Sequence, residues 1–260
     1  MLPYINFFGF EIQTYGIFAA IGFMISAIMA VNLGKRRDIT AEKSLTAMLA
    51  AAAGVFLGGH LLFTLTNMKE ISGLVSDGNF SFSALMPYVS GMVFYGGLLG
   101  SMLSIHIYSK ADKGVSRADV FDVFAVSAPL FHAFGRVGCF FAGCCYGVES
   151  KFGIATYLNN SPTHYGVSRF PVALFEAFSN ILIFVLLLVF FKRKKLYGKL
   201  ILLYLSIYAP VRFALEFFRG DEIRGFIFGL STSQFISLLI MLFLLIYLLI
   251  NLLRKSSKVN

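Results

Sequence analysis

Charge is what this sequence has least of. Asp, Glu, Lys and Arg together supply 13% of its 260 residues, and only 13 residues are acidic. Against that stand 58% hydrophobic residues, 30 phenylalanines and a mean hydropathy of +0.79. A soluble domain of this size could not hide so much apolar surface. Cysteine is also scarce: there are three, all in one short segment, which excludes a disulfide framework. The apolar runs do not alternate in and out, which excludes a β-barrel. No basic stretch precedes the first apolar segment, so that segment is expected to remain as a helix rather than be cleaved as a signal peptide. What is left is an all-α integral membrane protein.

The net charge of +9 invites a nucleic-acid reading. The basic residues cluster at the ends of apolar segments, however, which is the positive-inside pattern and not a binding stripe. Runs of about 20 apolar residues predict about seven helices, near 12–33, 44–66, 90–109, 118–141, 171–191, 199–217 and 231–253. Lys35-Arg36-Arg37, Lys110 to Arg117, Lys192-Arg193-Lys194-Lys195 and Arg254-Lys255 fall at alternate joins. These joins are expected on the cytoplasmic side, with the N-terminus outside and the C-terminus inside. The whole of 1–260 reads as a single polytopic domain. The opposite joins, 67–89, 142–170 and 218–230, are richer in Gly, Ser, Asn and Pro. The 142–170 join is long enough for a small extracytoplasmic head, with a turn at Asn159-Asn160-Ser161-Pro162.

Two glycine clusters, Gly54-Val55-Phe56-Leu57-Gly58-Gly59 and Gly96-Gly97-Leu98-Leu99-Gly100, place small residues four apart. Close helix packing is one reading. A backbone opened to a lipid head group, with Gly96 and Gly97 at the substrate, is the other.

Seven of the 22 basic residues fall off the cytoplasmic side: Lys69, Arg136, Lys151, Arg169, Arg212, Arg219 and Arg224. Lys69, Lys151, Arg169 and Arg224 are expected to be solvated in outer loops. Arg136 and Arg212 lie within or at the ends of apolar segments, where each costs about 2.5–3.5 kcal/mol at mid-helix. Arg212, Glu216 and Arg219 share one helix face. They form either a self-neutralising pair, or a site in which Glu216 orients an arginine and a net positive remainder faces an anion. With Arg136, two guanidinium forks could hold a phosphate. Glu176 is a candidate partner for an arginine of the site, and Gln234 opens the last span as a cap, a packing residue or a functional group.

The segment 135–147 (Gly-Arg-Val-Gly-Cys-Phe-Phe-Ala-Gly-Cys-Cys-Tyr-Gly) holds Arg136, Gly138 and every cysteine. Its close-set glycines let the backbone approach a ligand or another helix. Cys139, Cys144 and Cys145 lack paired C-x-x-C spacing, and neither His132 nor His164 falls at a matching interval, so no metal is expected. A Cys139–Cys144 disulfide, buried packing and a reactive thiol beside Arg136 stay open.

Ser90-Gly91-Met92-Val93-Phe94-Tyr95-Gly96-Gly97-Leu98-Leu99-Gly100, the 135–147 segment and Val211-Arg212-Phe213-Ala214-Leu215-Glu216-Phe217-Phe218-Arg219 resemble three motifs of the bacterial prolipoprotein diacylglyceryl transferases. Thr14-Tyr15-Gly16 and Gly54–Gly59 match as well, and the order agrees over nearly the whole chain. The resemblance implies a seven-helix fold of the bacterial cytoplasmic membrane with a periplasmic head. It also implies transfer of a diacylglyceryl group from phosphatidylglycerol to a lipobox cysteine, with release of glycerol phosphate and no cofactor. Carried over, Arg136 and Arg212 hold the donor phosphate, and Tyr15, Gly138, Gly147, Glu216 and Arg219 match other site positions.

The departures lie near the chemistry. Tyr95 stands where the family carries a functional histidine, and a phenol with a pKa near 10 is a poorer base than imidazole. The family's Gly-Arg-x-Gly-Asn-Phe-x-Asn-Gly-Glu becomes Gly-Arg-x-Gly-Cys-Phe-x-Ala-Gly-Cys, with Cys139, Ala142 and Cys144 at the changed places. Phe170 replaces a family histidine before the fifth span. The reading is a transferase that uses phosphatidylglycerol or a similar anionic phospholipid, with Tyr95, Arg136 and Arg212 as its catalytic set. The acceptor is a prolipoprotein thiol or a non-protein acceptor such as a glycan or glycolipid. A route through an acylated Cys139 or Cys144, and a non-enzymatic phospholipid carrier, are the alternatives.

Overall fold

Apolar runs become long helices. The structure, a computed structural model, describes residues 2–7, 9–78, 81–156, 166–221 and 226–256. Its helices are α1 (Thr14–Lys35), α2 (Ala41–Thr66), α3 (Met68–Ser76), α4 (Phe82–Val89), α5 (Phe94–Ala111), α6 (Arg117–Ala142), α7 (Val172–Lys192), α8 (Leu200–Glu216) and α9 (Thr232–Ser256). Among the described residues, three antiparallel strand pairs accompany them: β1 (Tyr4–Phe7) with β2 (Phe10–Gln13), β3 (Glu149–Thr156) with β4 (Val167–Arg169), and β5 (Phe226–Ile227) with β6 (Leu230–Ser231). The turn expected at Asn159-Asn160-Ser161-Pro162 lies outside the described residues, as do His164 and Arg224.

Five helices, α1, α2, α6, α7 and α9, are long and apolar enough to cross a membrane. A sixth candidate is the pair α4 and α5, bent by 81° across Ser90–Val93. The run expected near 90–109 is therefore broken at its start. α8 has 17 residues, just short of the others, and carries Pro210. In α9, Leu242, Phe243, Leu245, Leu248, Leu249 and Leu252 are all exposed. Apolar faces of this extent are stable only against lipid. The chain is an integral membrane protein built of helices.

The chain divides into two compact units, Ala30–Phe124 and Met1–Met29 with Ala125–Asn260. In the first, α2 and α5 pack glycine to glycine. A Cβ on Gly54 or Gly100 would run into the backbone of the other, and the same holds for Gly58 and Gly96. Both glycine clusters are thus explained by close approach of two helix backbones. The break before α5 is held by Val93 N–H donating to the Gly59 carbonyl (3.1 Å). At the basic joins, Lys43 pairs with Asp112 (3.0 Å) and Arg37 lies near Asp119 and Asp122 (3.6 and 3.9 Å).

In the second unit, α6, α7 and α8 enclose a polar interior. Its buried members include His132, Arg136, Glu176, Asn180, Arg212 and Glu216. α9 begins with a capping box: Ser231 Oγ accepts from Gln234 N–H (3.2 Å), and Gln234 Oε1 accepts from Ser231 N–H (3.1 Å). That settles Gln234 as a cap.

Candidate active site

Six charged side chains of the second unit form one network. Glu176, on the first turns of α7, is 2% exposed and sits at its centre. Its Oε2 is 3.0 Å from Arg136 Nε on α6 and 3.6 Å from Arg212 Nη1 on α8. Its Oε1 accepts from the Tyr208 hydroxyl (2.8 Å) and lies 3.5 Å from His132 Nε2. Arg212 Nη2 lies 2.6 Å from Glu216 Oε2, one helical turn on, and donates to Ser233 Oγ (3.0 Å). Arg219 lies 3.9 Å from Glu216 and makes a two-pronged pair with Asp221 (3.0 and 2.5 Å).

Three guanidinium groups therefore meet three carboxylates. The net positive remainder expected of Arg212, Glu216 and Arg219 is absent, because Glu176 and Asp221 join the network. Charges buried this deeply need such partners, since removing each ion from water costs several kcal/mol. Donors are nevertheless left over. Arg212 Nη1 is buried without a hydrogen-bond acceptor. Arg136 Nε donates to His132 Nε2 (3.3 Å) and is ion-paired with Glu176 at 3.0 Å, while its Nη1 faces sulfur, Cys145 at 3.7 Å and Cys139 at 3.9 Å. Two arginines on different helices thus share one carboxylate and keep N–H groups to offer an anion.

The cysteines come together through the end of α6. Gly143 adopts φ +72°, its N–H donates to the Phe140 carbonyl, and Cys144 N–H donates to the Cys139 carbonyl (3.2 and 3.3 Å). This is a Schellman cap, which folds the chain back so that residue 144 returns to residue 139. The three sulfurs lie within 4.8 Å of one another, and those of Cys144 and Cys145 are 3.9 Å apart. All three thiols are unbridged. Hydrogen bonds from Cys139 and Cys144, aided by Arg136 and Arg219, hold the Cys145 thiol well below its usual range against the effect of burial. Cys144 is favoured as thiolate by Cys139, but Cys145 and burial prevail and push it to about 11. For Arg219, burial works against the charge, and the Asp221 hydrogen bonds outweigh it and raise its pKa.

The segment beyond the cap is pinned by backbone. Val148 N–H donates to the Phe218 carbonyl, Gly220 N–H to Tyr146, and Phe170 N–H to Val148. A Cβ on Gly147 would overlap the Phe170 and Phe218 carbonyls, so close packing accounts for this glycine. Arg169, expected in a solvated loop, is instead buried. It donates to the Gly147 carbonyl (3.2 Å), lies 3.6 Å from Glu149 and stacks on Tyr146 (4.7 Å). Here the charge serves to fasten the 146–149 segment to β4.

The structure brings together Arg136, Cys139, Arg212, Glu216 and Arg219 from the expected site, with Gly147 backbone-paired to Arg219. Gly138 lies where a Cβ would press on Phe18 and Tyr15 of α1, and the Tyr15 side chain is exposed. Tyr95, Gly96 and Gly97 belong to the other unit, where all three are buried on α5. His132, Tyr208, Ser233 and Asp221 went unassigned in the sequence. Tyr208 is four residues before Arg212 and His132 four before Arg136, so helical spacing from the two arginines was the available signal.

A family model for prolipoprotein diacylglyceryl transferases matches residues 3–250. Relatives include the phosphatidylglycerol–prolipoprotein diacylglyceryl transferase of Clostridium tetani, 32% identical over 89% of this chain and 90% of its own. A second from Clostridium perfringens is 31% identical over 90% and 89%, and one from Campylobacter lari is 28% identical over 91% of each. With a family model that spans nearly its whole length and relatives above 30% identity over about nine-tenths of both chains, the chain belongs to the prolipoprotein diacylglyceryl transferase family.

Proposed function

We propose that Arg136 and Arg212 hold the phosphate of phosphatidylglycerol while its diacylglyceryl group passes to the cysteine thiol of a prolipoprotein. The chain is a transferase of the bacterial cytoplasmic membrane, and its relatives are named for this donor and acceptor. The observation that carries the residue assignment is the sharing of Glu176 by two arginines from separate helices, with Arg212 Nη1 left without a hydrogen-bond acceptor and Arg136 Nη1 facing only weakly accepting sulfur.

In the reaction the acceptor S–H gives its proton to water, and a carbon–sulfur bond forms at the glyceryl carbon that bore the phosphate oxygen. The carbon–oxygen bond breaks, and glycerol phosphate leaves with the electron pair. Positive charge fixed at the phosphate stabilises that leaving group, and does so most strongly where water is excluded. Glu176 keeps the two guanidinium groups at one place without using all of their donors. Glu216 and Ser233 hold Arg212, and Asp221 holds Arg219. A detour through Cys139 or Cys144 is disfavoured, because the thioether it would form is not activated for a second displacement.

Tyr95 takes the family's histidine position as a hydrogen-bond donor, and Tyr15 and Gly138 shape the substrate path. The topology that goes with this reading has seven spans, the N-terminus outside, the C-terminus in the cytoplasm, and a small extracytoplasmic head at 142–170. The test is donor binding. Arg136→Gln and Arg212→Gln are each expected to lose retention of labelled phosphatidylglycerol while keeping helical content. Undiminished retention by both variants would remove the phosphate assignment.

A further inference from the structure

We propose that Cys139, Cys144 and Cys145 form a three-thiolate site for a zinc ion, whose fourth position takes the acceptor's thiol. This inference deepens the proposed function and rests on it. The interval argument against a metal weighed separations along the chain, whereas the cap at Gly143 sets the actual geometry. Two thiolates on one tetrahedral zinc stand about 3.8 Å apart, from a Zn–S bond of about 2.3 Å. Cys144 and Cys145 already stand at 3.9 Å, and all three sulfurs lie within 4.8 Å. Closing the set therefore needs movements below about 1 Å.

Three features point to an open, reactive site and not a closed structural one. The ligand count is three, and the described residues add no fourth His, Cys, Asp or Glu to the group. Zinc sites with three protein ligands keep a position for substrate. A small cavity of about 10 Å³ adjoins the sulfurs, lined by Cys139, Cys145, Gly147, Arg169 and Phe170 among others. Finally, Arg136 Nη1 faces the Cys139 and Cys145 sulfurs. Zinc with three thiolates carries one net negative charge, and the N–H groups of Arg136 Nη1 face it.

The chemistry answers a need created by this chain's own substitutions. A thiol acceptor must be ionised, and Tyr95 stands where the family carries a base. Coordination to zinc deprotonates a thiol outright. Loading the site replaces three cysteine protons with Zn²⁺. The acceptor R–SH then binds as R–S–Zn and gives its proton to water. Its sulfur forms the bond to the glyceryl carbon as the Zn–S bond breaks, and glycerol phosphate leaves with the electron pair of the broken carbon–oxygen bond. The same arginine would thus face both the donor phosphate and the activated acceptor.

The experiment uses the full chain in nanodiscs of phosphatidylglycerol under reducing conditions. Zinc is measured by elemental analysis, and cobalt(II) is substituted as a spectroscopic probe. About one metal per chain is expected, with sulfur-to-cobalt charge-transfer absorption. A lipobox peptide bearing cysteine is expected to change the cobalt d–d spectrum, and the same peptide with serine is not. Cys139→Ser, Cys144→Ser and Cys145→Ser are each expected to weaken metal binding at least tenfold at unchanged helical circular dichroism. The peptide titration of the parent protein is decisive even where a variant fails to fold. Less than a fifth of an equivalent of metal, or a cobalt spectrum blind to the cysteine peptide, overturns the inference. So does full transfer by chelated, metal-free protein, which leaves the proposed function standing. Metal that responds to the peptide in a protein that never releases glycerol phosphate would sink the proposed function and leave the zinc site.

Discussion

Glu176→Gln removes one negative charge at nearly constant volume from the centre of the arginine network. Glutamine can still accept from the Tyr208 hydroxyl, so the change falls mainly on charge. Arg212 keeps Glu216 at 2.6 Å, whereas Arg136 loses the only carboxylate paired with it among the described residues. Breaking a buried ion pair from one side costs about 3–5 kcal/mol, because the remaining charge is left uncompensated. For a chain of this size that corresponds to about 6–20 °C in melting midpoint. The loss has a signature that a packing defect would lack. An anion bound at Arg136 replaces the missing charge, so phosphatidylglycerol should raise the midpoint of the variant more than that of the parent. The assay is thermal unfolding in neutral detergent with and without that lipid, extended to a double-mutant cycle with Arg136→Gln. A coupling above about 1.5 kcal/mol is expected for residues in one network. A midpoint within about 2 °C of the parent, with coupling below about 0.5 kcal/mol, would refute the claim that Glu176 is the counter-ion of Arg136.

Arg136→Lys keeps the charge but cannot serve Glu176, His132 and a phosphate together. Loss of one charge-assisted hydrogen bond, about 1.5–3 kcal/mol, predicts a fall of about 10–150-fold in kcat/KM for the phospholipid, read by glycerol phosphate release. Gly100→Val drives a branched side chain into the α2 backbone at Gly54 and Gly58. It should cost at least about 1–3 kcal/mol, measured as a lower unfolding midpoint, and a neutral effect would restore the reading of an open backbone at the lipid head group. Gly143→Ala forces a Cβ into φ +72° at a cost of about 1 kcal/mol. It should also loosen the Cys139–Cys144 approach, seen as slower cross-linking of the pair by a short bis-methanethiosulfonate reagent.

The long helices were legible because lipid leaves the backbone no other partner than itself. The predicted bounds of α1, α2, α6, α7, α8 and α9 agree with the observed ones to within about three residues. The break before α5 was not legible, since Ser90–Val93 is compatible with a continuing apolar run and its fixing contact comes from Gly59, some thirty residues away. Arg212, Glu216 and Arg219 could be grouped from helical spacing alone. Their neutralisation could not, because Glu176 arrives from α7 and Asp221 from beyond the end of α8. Arg169 was misplaced for the same reason: a basic residue in a loop looks solvated until the strand pairing that buries it is known. The cysteine cluster lay between these cases. Gly143 is the residue a helix cap calls for, and recognising that cap would have shown residues 139 and 144 as neighbours.

The central claim is transfer of the diacylglyceryl group to a lipobox thiol, and mass spectrometry tests it most directly. Purified protein is incubated with phosphatidylglycerol and a lipobox peptide, and peptide mass and free glycerol phosphate are measured together. The account predicts a peptide heavier by one diacylglyceryl group at its cysteine, one glycerol phosphate for each modified peptide, and neither product with Arg136→Gln or Arg212→Gln. Glycerol phosphate without modified peptide, or neither product from the parent protein, would contradict it.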